Sequence, residues 1–243
     1  MASSRSLLCL TLVCFWCLPT QGQQYVHSSV WLRFAPTWEI TPHWSLTADL
    51  WYRRQNDLHT SLFNPLTAPL LSPSGRVGIS YRTEHWAYTL FPICVFQSYP
   101  ALGKEADYER PRVREFRPSF LIEWSQVLPR RFSMRMRGGY EYRRFAGVPA
   151  TGRARFRVLF RRNLPNKTYL SLWNETLLPV ALTIAVRRFY EISRTNLAIG
   201  RSLTKHLTLE AGYQFSYRQR RTLIEFDEEH ALTVTGFYRF WTN

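Results

Sequence analysis

The sequence predicts an all-β fold: a single antiparallel up-and-down transmembrane β-barrel of about 10–12 strands. Three observations carry that expectation. Apolar and polar residues alternate with a period of two over stretches of about ten residues, nearly twice the ordinary strand length. Short polar turns alternate with longer connections. No stretch beyond the N-terminus supplies the roughly 20 apolar residues of a membrane helix, and the best of them, 177–186, is interrupted by Pro179.

The chain opens on an export signal. Arg5 precedes the uncharged run LLCLTLVCFWCL, and Thr20 and Gly22 put small residues at positions −3 and −1 of a cleavage site. Residues 1–22 are therefore expected to be a signal peptide and 23–243 the barrel. Cys9, Cys14 and Cys17 leave with the signal. Cys94 then has no partner, which excludes a disulfide-stapled secreted domain.

The strands follow from the alternation. Residues 44–53 set Trp44, Leu46, Ala48 and Leu50 against Ser45, Thr47, Asp49 and Arg53. Residues 132–143 set Phe132, Met134 and Met136 against Ser133, Arg135, Arg137, Glu141 and Arg143. Residues 153–161 set Ala154, Phe156, Val158 and Phe160 against Arg153, Arg155, Arg157 and Arg161. Residues 207–218 set Leu207, Leu209, Tyr213 and Phe215 against Thr208, Glu210, Gln214 and Arg218. Candidate strands begin near Val30, Trp44, Gly75, Trp86, Val113, Phe132, Arg153, Thr168, Arg188, Leu207 and His230. That is an odd number. Bacterial single-chain barrels have an even one, so either a strand is missing or the first stands outside the barrel.

The connections repeat. ITPH precedes Trp44, RTEH precedes Trp86, LPRR precedes Phe132, LPNK precedes Thr168 and LTKH precedes Leu207, at intervals of about 40 residues. Longer connections fall at 54–74, 99–112, 145–152, 178–187 and 219–229. Aromatics gather at both ends of the strands. Trp38, Trp44, Trp86, Trp124, Phe132, Phe160 and Tyr169 lie by the turns; Tyr52, Tyr99, Phe116, Tyr140, Tyr142, Phe189, Phe215 and Tyr217 lie by the loops. Two such girdles are the mark of a membrane barrel.

Of the 32 basic residues only Lys104, Lys167 and Lys205 are lysines, and the formal charge is +15. So strong a preference for arginine points to guanidinium groups that are packed, paired or stacked. The phase of the strands makes Arg53, Arg135, Arg137, Arg143, Arg153, Arg155, Arg157, Arg161 and Arg218 lumen-facing candidates for anion binding, with Asp49, Glu123, Glu141 and Glu210 as lumen-facing acid partners. The strands 132–143 and 153–161 together hold seven of these arginines and only Glu141. Unpaired guanidinium groups in a dry interior are costly, so the lumen is expected to be wet or to hold anions.

The phrases SVWLRF, HWSLTADLWYRR, EFRPSFLIEW, SLWNE and RTNLAIGRSLTKHLTLEAGYQFSYR, with a final H-x-L-x-V-x-G-x-Y-x-F strand, resemble the family called domain of unknown function 2490. The resemblance covers nearly all of the mature chain. It implies an exported outer-membrane barrel of the kind found largely in Bacteroidota, and it supplies no activity and no site residues.

Chemistry-bearing motifs are sparse. There is no G-x-S-x-G, no P-loop, no G-x-G-x-x-G and no zinc-ligand spacing, so neither an enzyme nor a cofactor nor a metal is expected. His59 with Ser61 is the one nearby pair that a lipid hydrolase could use. His43, His85 and His206 occupy the same place in three of the turns, which points to a structural role. The basic residues run along strands without a stacking platform, so no nucleic acid is expected. The expected protein is an integral outer-membrane barrel of a Gram-negative bacterium whose Arg-rich lumen passes or binds anions or serves a structural envelope role. Its partners would be outer-membrane lipids and the barrel assembly machinery; its oligomeric state is left open. One alternative is a soluble exported lipocalin-like barrel, with apolar faces inward and the arginines outside. Another is a membrane-embedded lipid-modifying enzyme.

Overall fold

The computed structural model describes residues 22–180 and 190–241. The expected signal peptide, the core of the connection at 178–187, the strand start near Arg188 and the girdle position of Phe189 lie outside the described residues.

Twelve strand segments follow one another: β1 Gln23–Glu39, β2 Trp44–Gln55, β3 Ala68–Arg82, β4 Trp86–Ser98, β5 Val113–Phe116, β6 Ser119–Leu128, β7 Phe132–Phe145, β8 Val148–Asn163, β9 Thr168–Val180, β10 Ile192–Ser202, β11 Leu207–Gln219 and β12 Glu225–Trp241. β5 and β6 share one place between β4 and β7. They are interrupted at Arg117-Pro118, where proline offers no N–H to the ladder. Backbone bonds from Arg117 to Cys94 and from Tyr142 to the Pro118 carbonyl carry the pairing across the break.

The sheet is therefore closed with eleven strand positions, and every neighbouring pair but one is antiparallel. The exception is β1 with β12, which run parallel from Gln23↔Glu225 to Glu39↔Trp241. This corrects two sequence expectations. The barrel is not wholly antiparallel, and its odd strand number is no miscount. Direction alternates along the chain, so an odd number leaves the first and last strands pointing the same way, and they close the barrel in parallel.

The repeated turns have a common chemistry. In the Thr41, Thr83 and Thr204 turns the threonine hydroxyl accepts the N–H of Trp44, Trp86 and Leu207, three residues on. His43 and His206 then reach the carbonyls of Arg82 and Arg239 at 3.0 and 2.8 Å through Nδ1, tying the turn to the adjacent strand. The other two turns place Arg130-Arg131 and Asn166-Lys167 at positive φ in both central residues, the hairpin turn that matches strand twist. The connection expected at 145–152 is shorter than predicted: β7 and β8 meet across Ala146-Gly147, with Gly147 at φ 71°.

The polarity is inverted relative to a soluble barrel. Leu32, Phe34, Leu50, Ile93, Ile122, Phe156, Leu172, Leu197, Ile199 and Leu232 are exposed on the outer wall, while Asp49, Arg76, Glu141, Arg153, Glu175, Asn196 and Gln214 are buried. The lipocalin-like alternative required the opposite phase, and the structure does not have it. At the turn end Trp38 stacks on Phe240 at 4.8 Å, Trp44 packs on Tyr81 at 4.9 Å, and Trp86 lies opposite Trp124. Tyr169 departs from its girdle assignment. It turns inward over Gly200, where a Cβ would stand 2.1 Å from the phenol ring, and carries the Arg161 guanidinium at 3.7 Å.

Candidate functional site: the arginine-lined lumen

A cavity of about 1460 Å³ occupies the barrel. Its lining runs from Tyr99, Arg110 and Arg220 at the loop end to Arg82, Lys205 and Arg239 at the turn end. All nine arginines and all four acids selected from the sequence line it. Its wall carries twenty Lys or Arg against seven Asp or Glu among the described residues, so the lumen is strongly cationic even where ion pairs form.

Cross-strand register builds the pairs. Arg137 lies opposite Glu123, Arg153 opposite Glu141, and Arg157 opposite Glu175. Glu141 accepts from Arg153 and, at 2.8 Å, from Arg155. Glu175 accepts from Arg155 at 2.5 Å and Arg157 at 3.0 Å, with Arg194 at 3.7 Å from its second oxygen. Glu123 holds Arg137 at 2.5 Å and Arg135 at 3.7 Å. Arg143 binds Glu115 at 2.6 Å and Glu191 at 2.8 Å. Asp49 is shared by Arg33 and Arg76. Glu210 receives the Ser171 hydroxyl at 3.2 Å and makes no ion pair among the described residues.

Six of the seven lumen-facing candidate arginines of β7 and β8 are thus paired, where the sequence offered them only Glu141 in their own hairpin. Sequence reasoning missed Glu115, Glu175 and Glu191, which reach the lumen from β5, β9 and the segment before β10. It also missed Arg33, Arg76 and Arg194. The outward–inward parity of their strands was a usable signal; their partnerships were not. Three of the nine selected arginines have no carboxylate within ion-pair distance among the described residues. Arg53 lies over the Trp31 ring at 3.4 Å, Arg161 lies over Tyr169, and Arg218 faces the cavity.

The loop end is tied down separately. Asp107 accepts the backbone N–H of Gly103 at 2.9 Å and of Lys104 at 3.0 Å, and it pairs with Arg220 at 3.0 Å and Arg110 at 3.1 Å. Burial alone would raise its pKa. The two amides and the Arg220 guanidinium outweigh burial and hold the carboxyl below its usual range. This joins the short 3-10 helix Glu105–Asp107 to the β11–β12 connection.

The pair His59 and Ser61 is not assembled as a hydrolase would need. His59 Nε2 faces Glu105 at 3.4 Å, and Ser61 accepts the N–H of Phe63. No cluster of three potential metal ligands occurs among the described residues, and no helix there is long and apolar enough to cross a membrane, which says nothing of strands.

The architecture defines a closed β-barrel with an apolar exterior and a cationic interior. The chain belongs to the family described as protein of unknown function (DUF2490), which it matches over residues 28–226. No curated protein matches it. Among solved structures it is similar to the NanC porin in a rhombohedral crystal form, with 9% identity, a TM-score of 0.40, and coverage of 79% of this chain and 88% of that one. A likeness of that degree carries no functional information.

Proposed function

We propose that the protein is an integral outer-membrane β-barrel whose arginine-lined lumen binds or passes small anions. The observation that carries this reading is the inverted polarity: an outer wall of exposed Leu, Ile, Val and Phe around a cavity lined by arginines. An apolar belt of that extent has no stable place in water, and every strand but the short β5 runs 10–17 residues, long enough to cross a bilayer at a tilt. Rings of arginine are how anion pores select. The bilayer lipids and the barrel assembly machinery are the partners this reading requires.

Two measurements test it. The native protein should partition with outer membranes and migrate differently on mild SDS gels before and after boiling. In planar bilayers the reversal potential in a chloride gradient should report anion preference, weakened when Arg135, Arg155 and Arg157 are together changed to Gln. Recovery as a soluble periplasmic monomer would reject the membrane assignment.

One observation favours a second reading, lipid modification. On the outer wall Tyr213 and His230 Nδ1 lie 2.5 Å apart, and His230 Nε2 lies 3.1 Å from Glu228. A carboxylate–imidazole–phenol chain facing lipid is an unusual expenditure of polar groups. A mass change in phospholipid or lipopolysaccharide that is lost in His230→Ala would decide for it.

A further inference from the structure

We infer that the lumen contains a phosphate-binding site formed by Arg53, Arg194 and Arg218 around Trp31. The inference rests on the anion-binding reading of the lumen and narrows it to one place and one ligand class.

Trp31 on β1 lies directly opposite Arg53 on β2. The Arg53 guanidinium stands 3.4 Å from the Trp31 ring centre and that of Arg194, from β10, at 5.1 Å. Arg194 lies opposite Ser216 on β11, and Arg218 stands two residues along on the same face. The Nε–H groups of Arg53 and Arg194 are both buried, and neither has a hydrogen-bond acceptor. Arg53 and Arg218 make no ion pair among the described residues. Arg194 has only the 3.7 Å contact with Glu175, whose other oxygen already serves Arg155 and Arg157.

The nearby acids are already engaged. Glu229 Oε1 is taken by the Ser29 hydroxyl at 2.6 Å and the Trp31 indole N–H at 2.8 Å, two neutral donors. Glu175, 3.7 Å from Arg194, is shared with Arg155 and Arg157, and Asp227, opposite Arg218, pairs with Arg220, so an excess of positive charge remains on the three guanidinium groups. At Arg137 and Arg153 the same Nε edges are filled by carboxylates, Glu123 and Glu141. The Nε–H groups of Arg53 and Arg194 find no acceptor among the described residues, and a buried donor without one is costly.

The geometry of the donors selects the ligand. An Nε–H and its neighbouring Nη–H form a planar fork that fits two oxygens on one centre. Chloride can accept from one fork but brings a single centre and a single charge. A carboxylate can fill one fork and neutralise one charge. A phosphate group presents several oxygens to more than one fork and carries up to two negative charges, which matches the excess. Trp31 keeps Arg53 flat against its ring, so the fork is already oriented before a ligand arrives.

The test is equilibrium dialysis of the full chain, refolded in detergent, against radiolabelled inorganic phosphate in excess chloride. One saturable site is expected. Arg53→Lys and Arg194→Lys keep the charge and lose the fork, and each should weaken phosphate binding about tenfold or more. Chloride selectivity in planar bilayers, read on the same proteins, should survive. No saturable phosphate in a wild-type barrel that still prefers anions would overturn the site and leave the lumen reading standing. Undiminished phosphate binding in both Lys variants would also overturn it. Phosphate binding that those variants lose, in a barrel that conducts nothing, would uphold the site and reject passage. Folding is checked by the heat shift on gels. If neither Lys variant folds, Arg218→Gln, the third member of the cluster, reads the same site, and binding equal to wild type there counts against it.

Discussion

Arg157 donates its Nε–H to Glu175 Oε1 at 3.0 Å, directly across the β8–β9 ladder, and Glu175 is 0% exposed. That one carboxylate also serves Arg155 and stands 3.7 Å from Arg194, so three strands depend on it. Removing one member of a buried ionic group leaves the others without compensation. Glu175→Gln should therefore cost about 3 kcal/mol of stability. A lowered midpoint for the shift from folded to unfolded mobility on heating in mild detergent would show it, and an unchanged midpoint would mean that lumen water replaces the carboxylate.

The two faces of β7 make a contrasting pair. Met136 is 36% exposed on the outer wall, between Trp124 and Val158 of the neighbouring strands. Met136→Arg puts a charge where the proposed bilayer lies and should cost about 2–4 kcal/mol and reduce assembly. Ser133→Arg, on the lumenal phase near the turn, should be milder. Equal tolerance at the two positions, measured as yield of folded barrel in membranes, would contradict the inside-out assignment.

Parallel closure has a topological consequence. β1 starts beside Glu225 at the loop end, and β12 finishes beside Glu39 at the turn end. If the short turns face the periplasm, as in outer-membrane barrels, the start of β1 lies on the cell-surface side and the end of β12 on the periplasmic side. An epitope placed just before Gln23 should be labelled on intact cells, while one appended after the last residue should need permeabilised cells. The reverse pattern would turn the barrel over.

The loop end should respond to acid. The Asp107 carboxyl is held below its usual range, so it binds fewer protons in the folded protein than in the unfolded chain. Its contribution is then fully present above the unfolded carboxylate pKa, near 4, and is lost as pH falls through the lower folded value. Amide exchange at Gly103 and Lys104, corrected for its intrinsic pH dependence, should accelerate below about pH 4. In Asp107→Asn it should be fast at every pH. Protection that survives acid would show that other contacts hold the loop.

Much of this protein is legible in one dimension. The period of two marks each strand and fixes which residues share a face, because successive side chains on a strand point to opposite sides. Arg135, Arg137, Arg153, Arg155 and Arg157 fall on the lumenal side for that reason alone. The T-x-H turns are equally local, since a threonine hydroxyl bonds an amide three residues away. The ion-pair partners are not local. Arg143 meets Glu191 across 48 positions, and Trp31 meets Glu229 across 198. Those contacts exist only once register and curvature bring distant strands to one cavity. Tyr169, aromatic at a strand end, looks like a girdle residue until Gly200 opposite leaves a space that its ring fills. The count of eleven strands was in the sequence as well, but only closure of the sheet decided that β1 and β12 would pair in parallel, because a row of unpaired N–H and C=O groups along an open sheet edge costs far more than a break in the antiparallel pattern.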